Sequence, residues 1–188
     1  MTRDQRLLAQ LTTYEPNDSL EAEHRRSMLA LLQSPTDPFS REHFVPGHFT
    51  ASCFIIDDGG RLLLHHHRRL QRWLQMGGHV ESGEDLATAA LREGAEESGL
   101  SDLEIAGDGD ILDLDIHAIP AARGEPEHDH FDVRYVAHTA APHAVAMDRV
   151  ESNELAWFTL DRAAELMPGA ESIRVFRKIE RLLSRRSS

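Results

Sequence analysis

Three glutamates, Glu93, Glu96 and Glu97, stand at i, i+3 and i+4 in the stretch REGAEESGL. On a helix these positions share one face, because successive residues turn by about 100°. Carboxylates held this close repel one another and weaken the helix unless positive charge lies among them. A hard divalent cation meets that need: Mg²⁺ or Mn²⁺ takes oxygen ligands and keeps part of its shell for water and phosphate. Arg92 is the basic neighbour in the stretch, and helical spacing points it away from the middle of the trio. Gly77 and Gly78 come just before the helix, where the lack of a Cβ lets backbone approach a cation or a phosphate. Taken alone, the E-x-x-E-E run also reads as a solvated acidic helix face.

Something must hold that helix. The spacing predicts it over residues 84–98, with Ala87, Ala90, Leu91, Gly94 and Ser98 on the neighbouring arc, suited to packing on a sheet. Strands are expected at FTASCFIID (49–57) and RLLLHHH (61–67), joined by the turn DGG, and WLQMGGHV (73–80) reads as a short strand or loop. DILDLDIHAI (110–119) and HFDVRYVAHT (130–139) form a pair of strands, and ELAWFTL (154–160) is another. Short helices follow near 161–166 and 171–184. Antiparallel hairpins mixed with helices predict an α/β or α+β sandwich. Ahead of this body, residues 3–13 and 18–33 read as helices, and three prolines in QSPTDPFSREHFVPGH mark a boundary near 35–48. The expected organisation is a helical N-terminal extension over 1–45 and a main domain over 46–188.

The chain has 188 residues, 32 acidic and 20 basic, for a net charge of −12. That field disfavours nucleic acid or an anionic membrane as a partner. It also repels a phosphorylated substrate, so a bound cation or a local basic pocket has to reverse the sign. Cys53 is the single cysteine, so no internal disulfide is available, and a reducing, cytoplasmic setting is expected. No run of residues approaches the apolar length of a membrane span.

The stretch from Gly78 to Leu100 resembles the signature of the Nudix hydrolases, G-x5-E-x7-R-E-U-x-E-E-x-G-U, where U is a bulky aliphatic residue. Gly78, Glu84, Arg92, Glu93, Glu96, Glu97, Gly99 and Leu100 stand at the specified positions, and Gly94 stands where the first aliphatic residue is expected. The resemblance implies a Nudix-like α/β/α sandwich with a mixed sheet. It implies hydrolysis of a phosphoanhydride in a nucleoside diphosphate linked to another group, with Mg²⁺ or Mn²⁺ as cofactor. It implies metal ligation by the Gly78 carbonyl, Glu93, Glu96 and Glu97. Arg92 orients a glutamate, and Glu84 at the helix start holds the loop. The residue that accepts the proton of the attacking water is Glu93 or, as in some relatives, a later loop glutamate, here Glu151 or Glu154. A non-hydrolytic nucleotide-sugar sensor and a diphosphate isomerase are the alternatives on the same fold.

Twelve histidines call for their own reading. In HHHRR (65–69), His65 and His67 point one way and His66 the other. With Arg68, Arg69 and Arg72 they form a basic patch for substrate phosphates, or simply a solvated strand end. His79, inside the motif, is placed to touch substrate. Asp113, Asp115 and His117 alternate on one strand, and His128, His130, Asp132 and Arg134 on another. If the strands pair, these polar sides meet as a pocket wall or hydrogen-bonded layer, with a Zn²⁺ site the less favoured option. His117 and His130 then line the substrate pocket. Trp73 and Trp157 stack on a base or sugar, or belong to the core. The segment FSREHFVPGHF offers Arg41, His43 and His48 to the pocket. The N-terminal helices cover the active site or build a homodimer.

Overall fold

The computed structural model describes residues 1–107, 109–122, 124–148, 150 and 152–186. Helices α1 (Arg3–Thr13) and α2 (Ser19–Leu32) lead. Strands β1 (Gly47–Asp57), β2 (Leu62–His67), β3 (Arg72–Leu74) and β4 (Met76–His79) precede helix α3 (Leu86–Ser98). Strands β5 (Glu104–Ile105), β6 (Asp113–Ile119), β7 (His128–Thr139) and β8 (Ser152–Phe158) come next, and helices α4 (Leu160–Leu166) and α5 (Ala170–Arg186) end the chain. Helix α3 starts at residue 86 instead of 84 because Asp85, in extended backbone, caps it by accepting the Thr88 N–H. Glu84 therefore sits in the loop before the helix. Helix α5, at 17 residues, is longer than the short helix expected.

Strand β1 is the spine of a mixed sheet, the architecture the sequence predicts. It runs parallel to β7 along its whole length, antiparallel to β4 over Thr50–Cys53, and antiparallel to β2 at Ile55 and Ile56. Between β2 and β4 the chain bends at Gln75, so that β3 pairs with β2 and β4 with β1. Strand β8 flanks β2, and β5 and β6 flank β7. All of β1 is buried, as a strand covered on both faces should be, with an apolar run over Cys53–Ile56 and polar His48, Thr50 and Ser52 on one face.

Strand alternation assigns the two faces. Phe49, Ala51, Cys53 and Ile55 face α3 and the N-terminal helices, which add Leu7, Leu11, Met28 and Leu31 to the same cluster. Phe54, Ile56, Leu62 and Leu64 face the opposite way and meet Val175, Phe176 and Ile179 of α5. At the far end of that second face the side chains turn polar, with His48, Thr50 and Ser52 on β1.

A buried ion network joins α2, β6 and α5. Glu21 and Asp113 have no exposure. Lys178 donates to both, at 2.7 Å to Asp113, and Arg174 donates to the two Asp113 oxygens at 2.8 and 2.9 Å. The Tyr14 hydroxyl also donates to Glu21. Burial still raises Asp113 above the ordinary carboxylate range, despite Arg174 and Lys178. No described helix is long and apolar enough to cross a membrane.

Candidate active site

Helix α3 seats closely on β1 because its inner face is small. A Cβ added to Gly94 would lie 2.8 Å from Cys53 Sγ and 3.1 Å from Leu103 Cδ1, so the position has no room for the aliphatic residue of the signature. Cys53 is fully buried under the helix and donates its thiol to the Ala90 carbonyl at 3.2 Å. Burial pushes that thiol far up, which makes it inert.

The close seating sets the carboxylates. Glu93 lies on Gly78: a Cβ there would fall 2.6 Å from the Glu93 carboxyl carbon. Glu97, one turn on, is 4% exposed, with Oε2 4.0 Å from His65 Nδ1. Glu96 is on the exposed rim. The trio therefore grades from buried to open across a single helical turn.

Arg92 departs from the expectation that it points away from the trio. Its guanidinium donates to Glu93 at 2.9 Å and Glu96 at 3.4 Å, to both Glu84 oxygens at 3.1 Å, and to the His79 carbonyl at 2.9 Å. Arg92 and Glu96 are four residues apart and share a face, and the long side chain swings its head sideways to Glu93. The hydrogen bonds to Glu84 and then Glu93 raise its proton affinity further. Glu84 also accepts the Glu81 N–H at 3.0 Å, fastening the loop to the helix.

Three other candidates take definite places, and Trp73 takes the core alternative. His65 is buried instead of joining an exposed cationic patch: its Nδ1 lies 2.7 Å from Ser152 Oγ, and burial pushes it down to about 4, so the ring is neutral at pH 7. Glu154 is paired with His66, and Leu155 with His65. Because neighbours on a strand alternate, Glu154 faces away from the side on which His65 approaches Glu97. Trp73 packs edge-on against Phe158 and His66, at 4.9 and 5.4 Å between ring centres, on the second core cluster and not beside the carboxylates. Trp157 donates its indole N–H to the Pro142 carbonyl. Arg68 and Arg72 remain exposed at the ends of the turn between β2 and β3, with Arg69. Glu151 lies outside the described residues.

Strands β6 and β7 do pair their polar sides: Asp113 meets Arg134, Asp115 meets Asp132, and His117 meets His130. Arg134 lies 2.7 Å from Asp115, 3.0 Å from Asp132 and 3.6 Å from Asp113. Burial alone would raise Asp115, but the hydrogen bond from His117 and the charge of Arg134 outweigh it and hold the carboxyl below its ordinary range. The aspartates thus form a hydrogen-bonded polar layer.

Beyond that layer, imidazoles gather on the open end of the sheet face. His48 touches His79, His128 and His130, and His130 touches His117, with ring centres 4.9–5.6 Å apart. Burial is the main reason His48 is pushed down to about 4 and His130 to about 2. The sequence named His48 only as one of several pocket contributors. The signal that would have found its partner is the parallel β1–β7 register, which sets His48 against His130.

A family model described as the NUDIX domain matches residues 46–178. The crystal structure of a C. elegans Ap4A hydrolase binary complex superposes with a TM-score of 0.58, at 25% identity, over 72% of this chain and 97% of that one. A NUDIX-family hydrolase from Clostridium perfringens gives a TM-score of 0.53 at 28% identity, again over 72% and 97%. No curated protein sequence matches the chain.

Proposed function

Because the chain belongs to the Nudix family and is a Nudix-type pyrophosphohydrolase, we propose that it cleaves a phosphoanhydride of a nucleoside diphosphate linked to another group, with the motif carboxylates as its centre. The observation that carries this reading is the seat of Glu93 on Gly78 beside the buried Glu97.

These residues fit a hard divalent cation, Mg²⁺ or Mn²⁺. Glu93, Glu96 and Glu97 offer only oxygens, and no Cβ stands between the Gly78 backbone and the Glu93 carboxylate. Such a cation, when bound, neutralises phosphoanhydride charge and makes water more acidic. Arg92 holds Glu93 and Glu96 in place and ties them through Glu84 to the preceding loop. Glu93, fixed on both sides, accepts the proton of the attacking water; the geometry of β8 supports the motif helix over Glu154 for this role. Arg68, Arg69 and Arg72 give the acidic chain a cationic rim for substrate phosphates. His79, His117 and His130 lie on the other face of the sheet from the motif glutamates, so the substrate contacts proposed here are those of α3 and the arginine rim. An isomerase would need a reactive thiol at the site, and Cys53 is sealed behind α3.

The test is a phosphate-release screen with Mg²⁺ and with Mn²⁺. Dinucleoside polyphosphates come first, given the Ap4A hydrolase likeness, followed by nucleoside triphosphates, nucleotide sugars and ADP-ribose. Glu97→Gln should lower turnover by at least about a hundredfold, the usual scale for losing a ligand that stabilises transition-state charge. Parental turnover in that variant would refute the assignment, and tight binding without turnover would favour a sensor.

A further inference from the structure

We propose that His48, His79 and His130 form a second metal site, for a transition-metal dication of the Zn²⁺ class, on the sheet face opposite the motif glutamates. Each residue comes from a different strand: His48 from β1, His79 from β4 and His130 from β7. Register sets all three on one face, since His79 pairs with Thr50, and His48 and His130 are direct partners. Gly78 pairs with Ala51 and so turns to the other face, toward Glu93. One ligand-capable nitrogen from each ring lies within 4.8 Å of the others. Metal–imidazole bonds of about 2.0–2.1 Å require nitrogens about 3.4 Å apart in a tetrahedral site. Closing that gap takes side-chain adjustment on a fixed sheet.

Hydrogen bonding points the same way. His48 is 1% exposed, and its Nε2 is buried without a hydrogen-bond partner among the described residues. A buried polar nitrogen left in that state is costly. Its Nδ1 lies 3.3 Å from the His43 carbonyl, which sets the proton on Nδ1 and leaves the buried Nε2 lone pair to act as a ligand. Backbone bracing of one ring nitrogen is the usual arrangement for a histidine ligand.

The donor set selects the metal. Nearby carboxylates are already engaged: Asp132 with Thr50, Ser52 and Arg134, and Asp115 with Arg134 and His117. Three imidazoles, with Asp132 and Asp115 beside them already paired, suit Zn²⁺, Ni²⁺ or Cu²⁺ and are a poor site for Mg²⁺. The two sites therefore sort two kinds of cation across one strand. A bound ion would also cross-link β4 to β1 and β7, bracing the strand that carries Gly78.

The test uses chelator-stripped full-length protein titrated with Zn²⁺ in saturating Mg²⁺, followed by calorimetry and by metal analysis after desalting. One Zn²⁺ per chain is expected, with a Kd of about 1 μM or tighter. The melting temperature should rise by about 5–10 °C at a hundredfold excess over Kd. His48→Gln and His130→Asn should each weaken Zn²⁺ binding by at least about a hundredfold, whereas Glu97→Gln should leave it intact. If a histidine variant fails to fold, ring ¹H–¹⁵N spectra of the parent decide: Zn²⁺ should shift His48, His79 and His130. No retained Zn²⁺, binding that depends on Glu97 and not on His48, or ring shifts confined to other histidines would each overturn the site. None of these readouts needs turnover, so failure here is separate from failure of the hydrolase reading.

Discussion

Replacing Gly78 with Ala should leave the protein folded and remove most of its activity. The added Cβ would sit 2.6 Å from the Glu93 carboxyl carbon and Oε1, whereas ordinary contact begins at 3.4 Å. The carboxylate must then retreat by about 0.8 Å, the difference of those two distances. Glu93 can do so by loosening its bond from Arg92, because the clash meets the far end of a flexible side chain, so unfolding free energy should change by no more than about 1 kcal/mol. A carboxylate moved by nearly an ångström no longer meets water and cation in reactive geometry. The expected loss in kcat is about a hundredfold, or about 2.7 kcal/mol of barrier. Gly77→Ala is the contrasting control. Its Cβ would meet Ser52 Cα at 2.7 Å and the Ala51 carbonyl at 2.8 Å, which are backbone atoms with nowhere to go, so that variant should lose stability first. Steady-state kinetics and thermal melts on both variants make the comparison. Parental kcat in Gly78→Ala, or unfolding as severe as in Gly77→Ala, would refute the idea that Gly78 exists to seat Glu93.

Three further outcomes are expected. Gly94→Ala should cost about 1–3 kcal/mol through overpacking against Cys53 and Leu103, and Cys53→Ala in the same chain should recover part of it, as read by urea unfolding. In chelator, stability should fall as the solution is acidified. His48 and His65 titrate near 4 when folded against 6.5 in the reference state. Between those values the unfolded chain takes up protons that the folded one refuses, so each ring removes up to about 1.4 kcal/mol per pH unit. A urea midpoint that is flat or rising from about pH 6.5 down to about pH 5 would contradict this sign. Finally, Arg174→Met should destabilise by about 3–5 kcal/mol, because Asp113 and Glu21 stay buried with a cation missing; a midpoint like the parent's would show the network to be dispensable.

The chemistry-bearing helix was the most legible part of the chain. Residues 93, 96 and 97 fall on one face by helical period alone, and the strands around them announce themselves by alternation. Side chains whose direction depends on a partner strand were less so. Glu154 comes where a loop glutamate is expected in sequence, and one step of strand alternation turns it away from the face on which His65 approaches Glu97. His65 looks like part of a basic cluster until its burial beside Ser152 is known. Arg92 was misdirected because backbone spacing fixes where a stem begins and says little about where a long flexible head ends. His48 and His130 meet only through a parallel pairing of strands far apart in the chain, and no local pattern encodes that. The tight place at Gly94 was visible as a missing side chain, but its cause, the sulfur of Cys53, was not.

The ion network among Glu21, Asp113, Arg174 and Lys178 bears on how the polypeptide can be shortened. The family match begins at residue 46, so cutting there discards Glu21 and Tyr14. Arg174 and Lys178 would then face Asp113 with fewer acidic partners, and a strip of β6 now roofed by α2 would open to water. Head and tail of this polypeptide are knotted together by charge through one strand, so tags and fusions belong beyond the outermost turns, and trimming from the front should loosen the rear.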